Sequence, residues 1–217
     1  MQQLKNIFFD FDGVIIDSEP LHARAKQIVL KKYNISYPSS LFDDYKGIPD
    51  MVFFDYVAEK LDDHRHSSEF LQAEKKAALA KIFPELKMVE GFSGFLAKVK
   101  KNKIRTALVS STSLYSLGLV DNLFHISEMF DLVITEIDTA RHKPFPDPYL
   151  AALSKLPAST ENTIVIEDSP NGIIAAKEAG CFVYALTSSF AGEILRNAGA
   201  DEVVENYAEL ESKLKFL

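Results

Sequence analysis

Apolar residues along the chain keep two different rhythms. Short unbroken runs of strand-forming residues occur at 7–9, 104–109, 132–135, 163–166 and 182–186. At 92–101, 114–123, 148–155 and 172–179 apolar positions instead return every three or four residues, which predicts amphipathic helices. A short strand at 201–204 and a helix at 207–214 complete the series. Buried strands alternating with helices predict a parallel sheet covered on both faces. One block breaks the alternation. Between 39 and 86, residues such as Phe53, Phe54, Tyr56, Val57, Phe70 and Leu71 recur at helical spacing among many charges, without a buried-strand run. A helix running from Ser18 towards Tyr33 leads into this block, with Ser18 as its candidate N-cap and Pro20 in its first turn. The expectation is an α/β fold. Its Rossmann-like parallel-sheet core covers 1–17 and 88–217, and an α-helical domain is inserted over 18–87.

The first run ends in Asp10-Phe11-Asp12-Gly13. Side chains two apart on an extended segment point the same way, so Asp10 and Asp12 face one point at a strand's end. Asp and Gly are ordinary turn residues. Three acids within eight positions, Asp10, Asp12 and Asp17, nonetheless favour a site for a hard cation over a plain turn. Ligands of open α/β sheets bind beyond the carboxyl ends of strands. There the other runs deliver Ser110-Ser111-Thr112, the loop residues Arg141-His142-Lys143-Pro144, and Glu167-Asp168-Ser169. Each has an ordinary reading alone: Ser110 could cap the next helix, Lys143 could be a solvated loop lysine, and Glu167-Asp168 could be a cap and turn.

Together these residues suit a phosphate ester. A carboxylate attacking phosphorus meets anionic oxygens, so it needs a divalent metal, a cation and hydrogen-bond donors around it. Asp10 and Asp168 offer the oxygen ligands that Mg2+ prefers, Lys143 a point charge, and Ser110 a hydroxyl. Three prolines in Lys143-Pro144-Phe145-Pro146-Asp147-Pro148 stiffen the loop that presents the lysine.

With 217 residues, 47% of them hydrophobic, the chain can bury a sizeable core. A net charge of -7 and a pI near 5.3 argue against general binding to nucleic acid or anionic membranes, so a phosphate pocket must be local. The single cysteine, Cys181, lies in an apolar run and reads as a buried structural thiol. The start of the chain does not read as a signal peptide, and no apolar run approaches about 18 residues, so a cytoplasmic protein is expected. The segment Asp62-Asp63-His64-Arg65-His66 reads as a junction between helices, its histidines as solvated loop residues in preference to metal ligands.

Four ordered segments carry a family likeness: Asp10-Phe11-Asp12-Gly13-Val14, Ser110 after a buried strand, Lys143-Pro144, and Glu167-Asp168-Ser169-Pro170-Asn171-Gly172. They resemble the four motifs of the haloacid-dehalogenase-like superfamily, in particular its phosphatase and β-phosphoglucomutase-like branch, where a helical cap follows the first motif. The resemblance implies Asp10 as the nucleophile of an aspartyl-phosphate and Asp12 as general acid, then general base. It implies Mg2+ on the Asp10 carboxylate, the Asp12 carbonyl and Asp168, with Glu167 orienting this shell or joining it. Ser110 and Lys143 would hold the phosphoryl group, aided by backbone amides of the loop after Asp12. The implied partner is a small phosphorylated metabolite, foremost a sugar phosphate, with no nucleic acid or membrane, and a monomer is compatible with the sequence.

Two alternatives stand beside hydrolysis, a β-phosphoglucomutase-type isomerase and a non-catalytic metal- or phosphate-binding module. The position of His22 corresponds to a mutase and phosphatase histidine that assists the acid/base residue. The mutases grip a second phosphate with a cap arginine soon after a Lys-Gly pair. Here Lys46-Gly47 is followed by Ile48-Pro49-Asp50-Met51, and an acid would repel that phosphate. Lys75 and Lys76 could touch a substrate phosphate, although a solvated helix face is the simpler expectation.

Overall fold

The computed structural model describes residues 4–45 and 48–214, so the Lys46-Gly47 pair lies outside the described residues. Its contacts divide the chain into two compact units, Met1–Asp17 with Met88–Leu217, and Ser18–Lys87.

The first unit is built on a parallel sheet. Its strands are β1 (Asn6–Phe9), β2 (Arg105–Val109), β3 (Leu132–Ile134), β4 (Thr163–Glu167), β5 (Phe182–Leu186) and β6 (Glu202–Val204), in the spatial order β3-β2-β1-β4-β5-β6. This is a Rossmann-like order, and its direction reverses between β1 and β4, where open α/β sheets form their ligand crevice. β1, β4 and most of β2 and β5 are buried along their length, as expected of strands covered on both faces.

Among the described residues, the α-helices of the second unit are α1 (Glu19–Lys32), α2 (Leu41–Asp44), α3 (Asp50–Tyr56), continued by a π-helical turn over Val57–Leu61, and α4 (Ser68–Ile82). Ser18 sits at the start of α1 with helical backbone angles and makes no side-chain capping bond, contrary to the N-cap expectation. Ser67 does cap α4, accepting from the Phe70 N–H. In the segment before α4, His64 is exposed as expected, whereas His66 departs from the solvated reading. Asp62 is buried, pairs with Arg65 at 2.5 Å and meets His66 Nδ1 at 2.8 Å, while the His66 ring packs on Tyr33 and Phe70. His66 is a structural residue there, held by its contact with Asp62 and by ring contacts.

The remaining helices, α5 (Phe92–Lys101), α6 (Leu114–Phe124), α7 (Asp147–Lys155), α8 (Pro170–Glu178), α9 (Gly192–Asn197) and α10 (Tyr207–Lys213), return to the first unit. On one face of the sheet, Phe8, Val109, Val165 and Val183 share a core with Tyr149 and Ala152 of α7, Ile173 of α8 and Leu195 of α9. On the other, Phe9 meets Phe92 and Phe95 of α5 and Phe130 edge-on at 5.6–6.2 Å, and Tyr207 of α10 closes the cluster. Cys181 is 1% exposed, and burial pushes its thiol up to about 12, which makes it structural. Among the described residues, no helix is long and apolar enough to cross a membrane.

Candidate active site

Parallel register assembles the rim. Phe9 of β1 lies opposite Leu108 of β2 and Ile166 of β4, so the residues that follow, Asp10, Val109 and Glu167, emerge at one level. The Asp10 N–H extends the ladder by donating to the Ile166 carbonyl at 3.0 Å. Lys143, in the loop before α7, reaches this level and is 7% exposed at its side chain. Its Nζ donates to Asp10 Oδ1, to the Val109 carbonyl at 3.0 Å and to Glu167 Oε1 at 2.7 Å. All three ammonium donors are thereby engaged. Burial works against the lysine charge, but the Asp10 and Glu167 carboxylates outweigh it and hold the pKa above the ordinary lysine value.

Asp10, Glu167 and Asp168 bring one oxygen each within 4.8 Å of the others. Burial above all, then the neighbouring carboxylates, raises Asp10 to about 7 and Asp168 to about 8. The donor set is oxygen only and rich in negative charge, which fits a hard divalent cation such as Mg2+. Glu167 differs from its two neighbours. Its Oε1 accepts from Lys143 and from the buried Tyr149 hydroxyl at 2.9 Å, while Oε2 accepts from the Asp168 N–H, the Ser169 N–H and the Ser169 hydroxyl at 3.0–3.1 Å. Five donors on one carboxylate leave it an orienting group more than a free ligand. Ser169 also caps α8, accepting from the Gly172 N–H at 3.1 Å.

Two glycines make the room. A Cβ on Gly172 would lie 1.6 Å from Glu167 Oε1, and a Cβ on Gly13, whose φ of +69° already favours glycine, would lie 1.7 Å from Asp168 Oδ2. The amides of Gly13, Ile15 and Ile16, in the loop expected to supply phosphate donors, are engaged inside that loop, donating to the Ile16 and Phe11 carbonyls at 2.8–3.1 Å. Tyr207 fixes the same loop from below through its hydroxyl, 2.8 Å from the Val14 carbonyl.

Asp12 and Ser110 lie beside the cluster. Asp12 is exposed, and Thr112 Oγ1 donates to its Oδ2 at 2.9 Å. The Thr112 N–H donates to Oγ of the buried Ser110 at 2.9 Å, so one residue links the two. Ser110 does not cap α6; Ser113 does, accepting from the Ser116 N–H. The carboxylates of Asp12 and Asp17 stand outside the metal-ligating group found among the described residues.

In the helical unit, Lys75 is 4% exposed and donates to Asp50 Oδ2 at 2.6 Å, with His22 Nδ1 at 2.7 Å, which corrects its reading as a solvated lysine; Lys76 is exposed. Lys26 Nζ lies 3.4 Å from the other Asp50 oxygen. Burial pushes Asp50 up, yet the Lys75 hydrogen bond and the two ammonium charges win and hold its carboxyl below the usual range.

Residues 7–186 fit the profile of the haloacid dehalogenase-like hydrolases. The chain belongs to that family. It is 30% identical over 219 residues to a validoxylamine A 7′-phosphate phosphatase of Streptomyces hygroscopicus subsp. limoneus, covering 95% of each chain. It is 30% identical over 211 residues to a phosphorylated-carbohydrates phosphatase of Thermotoga maritima, covering 93% of this chain and 94% of that one. Among solved structures, a Thermotoga maritima protein described provisionally as a β-phosphoglucomutase superposes with a TM-score of 0.85 at 29% identity, over 99% of this chain and all of the other. These haloacid dehalogenase-like relatives thus include named carbohydrate-phosphate phosphatases, and the six-stranded parallel sheet agrees with the family fold.

Tyr149 is a site residue that the sequence alone did not name, whereas Thr112 was placed at the rim without a role. Tyr149 is the polar-tipped member of the buried stripe of α7, and that tip is the signal.

Proposed function

We propose that the protein is a Mg2+-dependent phosphohydrolase that cleaves a small phosphorylated metabolite, foremost a sugar phosphate, through an aspartyl-phosphate on Asp10. The observation that carries this reading is the Lys143 ammonium held between Asp10 and Glu167 at the strand ends. It sets a fixed positive charge beside a carboxylate that must attack an anion.

Asp10 attacks phosphorus, forming the Asp10 Oδ–P bond as the ester P–O bond breaks. Asp12 gives its proton to the departing alkoxide and later takes one from the water that hydrolyses the intermediate. Ser110 and Lys143 hold the phosphoryl group, the serine through its hydroxyl and the lysine through its charge, one of its N–H donors turning from a protein acceptor to a phosphoryl oxygen. Asp10, Asp168 and the Asp12 carbonyl would hold the metal, with Glu167 orienting the shell and Lys143. When bound, Mg2+ supplies the charge neutralisation that lets one anion approach another. The helical unit, 18–87, is assigned the part of a cap that selects the substrate. A cytoplasmic setting is supported by the single buried cysteine.

The test is release of phosphate from an aryl phosphate with and without Mg2+, followed by a panel of sugar and polyol phosphates. Asp10→Asn is expected to abolish turnover, and Asp12→Asn to lower it by roughly 10²–10⁴-fold. Substantial turnover by Asp10→Asn would refute the nucleophile assignment. A non-catalytic binding module would bind phosphate and release none.

A second reading, a sugar-phosphate isomerase, is favoured by one observation. Asp50, the acid that argues against a second phosphate, is matched by the Lys26 and Lys75 charges. Hexose 1-phosphate with a trace of its bisphosphate separates the readings: the isomerase yields isomer, the hydrolase free phosphate.

A further inference from the structure

We infer that a hollow in the helical unit is a binding site for the neutral, hydroxyl-rich part of a metabolite, with Lys26 and Asp50 as its specificity-determining residues. The inference rests on the proposed reading of that unit as the part that selects the substrate, and it names what is selected.

Residues 19, 22 and 26 fall on one face of α1. Together with Ile48, Pro49 and Asp50 at the start of α3, the side chains of Glu19, His22 and Lys26 line a hollow of about 300 Å³. Lys26 is 6% exposed, an uncommon place for an ammonium group without a close partner. Among the described residues its Nζ meets one carboxylate oxygen, Asp50 Oδ1 at 3.4 Å, and lies 4.5 Å from the centre of the Phe53 ring. An ammonium carries three donors, so donors of Lys26 remain for a ligand in the hollow. Asp50 is the fixed acceptor opposite. Lys75 of α4 donates to its other oxygen at 2.6 Å and meets His22 Nδ1 at 2.7 Å, which pins the carboxylate from behind.

Charge and hydrogen-bond direction select the ligand. A hydroxyl group both accepts and donates, so one hydroxyl can accept from Lys26 and donate to Asp50 Oδ1. A carboxylate or phosphate could accept from Lys26, but it would bring a second acceptor and a like charge against Asp50 and Glu19. Those two acids balance Lys26 and Lys75, so no net positive charge is left to hold an anion. Ile48 and Pro49 offer an apolar wall for the C–H face of a carbon chain. The hollow therefore takes a polyol or sugar chain and turns away the same chain bearing a second anionic group, discrimination by an unpaired charge.

The experiment compares kcat/KM for phosphate release, with Mg2+, from sorbitol 6-phosphate, 6-phosphogluconate and 4-nitrophenyl phosphate. The first two share one carbon chain and differ only in a terminal CH2OH or carboxylate. The wild-type protein is expected to prefer sorbitol 6-phosphate by about 10–100-fold, the range for one hydrogen bond to a charged group. Lys26→Met is expected to lower kcat/KM for sorbitol 6-phosphate about tenfold more than for 4-nitrophenyl phosphate, with the loss in KM. Asp50→Asn, which removes the charge and keeps an acceptor, is expected to narrow the preference over 6-phosphogluconate by about tenfold. A purely structural role would lower both sugar phosphates alike and leave that ratio unmoved. Equal rates for the two in the wild-type protein, or a preference for the acid, overturn the inference without any variant having to fold. If 4-nitrophenyl phosphate releases nothing, the phosphohydrolase reading fails instead. Calorimetric titration with the same two sugar phosphates then decides the inference alone: tighter binding of the polyol supports it, and equal or weaker binding overturns it.

Discussion

The Tyr149 hydroxyl donates at 2.9 Å to Glu167 Oε1, the oxygen that also receives the Lys143 ammonium. Both partners are fully buried at their reacting ends, so water cannot replace the tyrosine if it is removed. Tyr149→Phe keeps the ring, whose face lies 5.0 Å from Lys143 Nζ, and deletes only the donor. A buried acceptor that loses a partner costs about 1–3 kcal/mol. The expected result is a lower urea midpoint with an unchanged slope. Phosphate release should fall as well, because Glu167 then draws Lys143 away from Asp10. A wild-type midpoint would remove Tyr149 from the support of the site.

Gly172→Ala isolates a steric effect. Gly172 lies in α8, where alanine is welcome to the backbone, so the clash of its Cβ with the Glu167 carboxylate 1.6 Å away is the dominant consequence. Turnover is expected to fall by roughly 10²-fold, the scale of a misplaced catalytic shell. Gly118→Ala, within α6 and with nothing within 4 Å of the added carbon, should instead stabilise the fold by about 0.5–1 kcal/mol. Thermal denaturation and phosphate release, measured on both variants, check the pair.

Residues whose chemistry and spacing coincide were legible in the chain. Asp10, Lys143 and Asp168 each follow or lie between apolar runs that fix where their side chains emerge, and the parallel register then collects them. Residues whose role depends on what packs beside them were not. Lys75 lies next to Lys76 and looks the same in composition, yet it falls on the buried stripe of α4 with Leu71, Ala78 and Ile82, so helical periodicity carried a signal that composition hid. Ser110 was legible as a possible cap of the next helix, but the backbone gives that place to Ser113, three residues on. The ion pair between Asp62 and Arg65 needs three-dimensional contact and has no counterpart in a charge count.

The helical unit offers a test of its own. Lys75→Met removes the 2.6 Å partner of Asp50, leaves the 3.4 Å contact to Lys26 and takes one close partner from His22, at a place where the lysine side chain is 5% exposed. A destabilisation of about 1–3 kcal/mol is expected, against about 0.5 kcal/mol or less for Lys76→Met on the exposed face. Combining Lys75→Met with Asp50→Asn should cost less than the sum, with a coupling of about 0.5–3 kcal/mol. Additive costs in urea denaturation would show that the two side chains do not act as a pair.

The carboxylate cluster predicts how pH and metal act together on stability. Asp10 and Asp168 have ordinary carboxyl values of 3.8 and are raised in the fold to about 7 and about 8, burial first and neighbouring carboxylates second. Between these values the native state binds more protons than the unfolded one, so this contribution to stability falls as pH rises. It is harmless below about pH 4, and by about pH 8 the metal-free protein bears the full strain of the ionised cluster. A divalent cation relieves that strain by taking the place of the protons, so its affinity must climb over the same range. At a hundredfold excess over its Kd a ligand of the native state contributes about 2.7 kcal/mol, which for a chain of this length is roughly 5–10 °C in Tm. The expected outcome is a Tm increase of that order on adding Mg2+ at pH 8, a clearly smaller one at pH 5.5, reversal by EDTA, and no increase at either pH in Asp168→Asn. Equal shifts at the two pH values would mean that the metal does not compete with protons for Asp10 and Asp168, and its place would have to be sought on other oxygens.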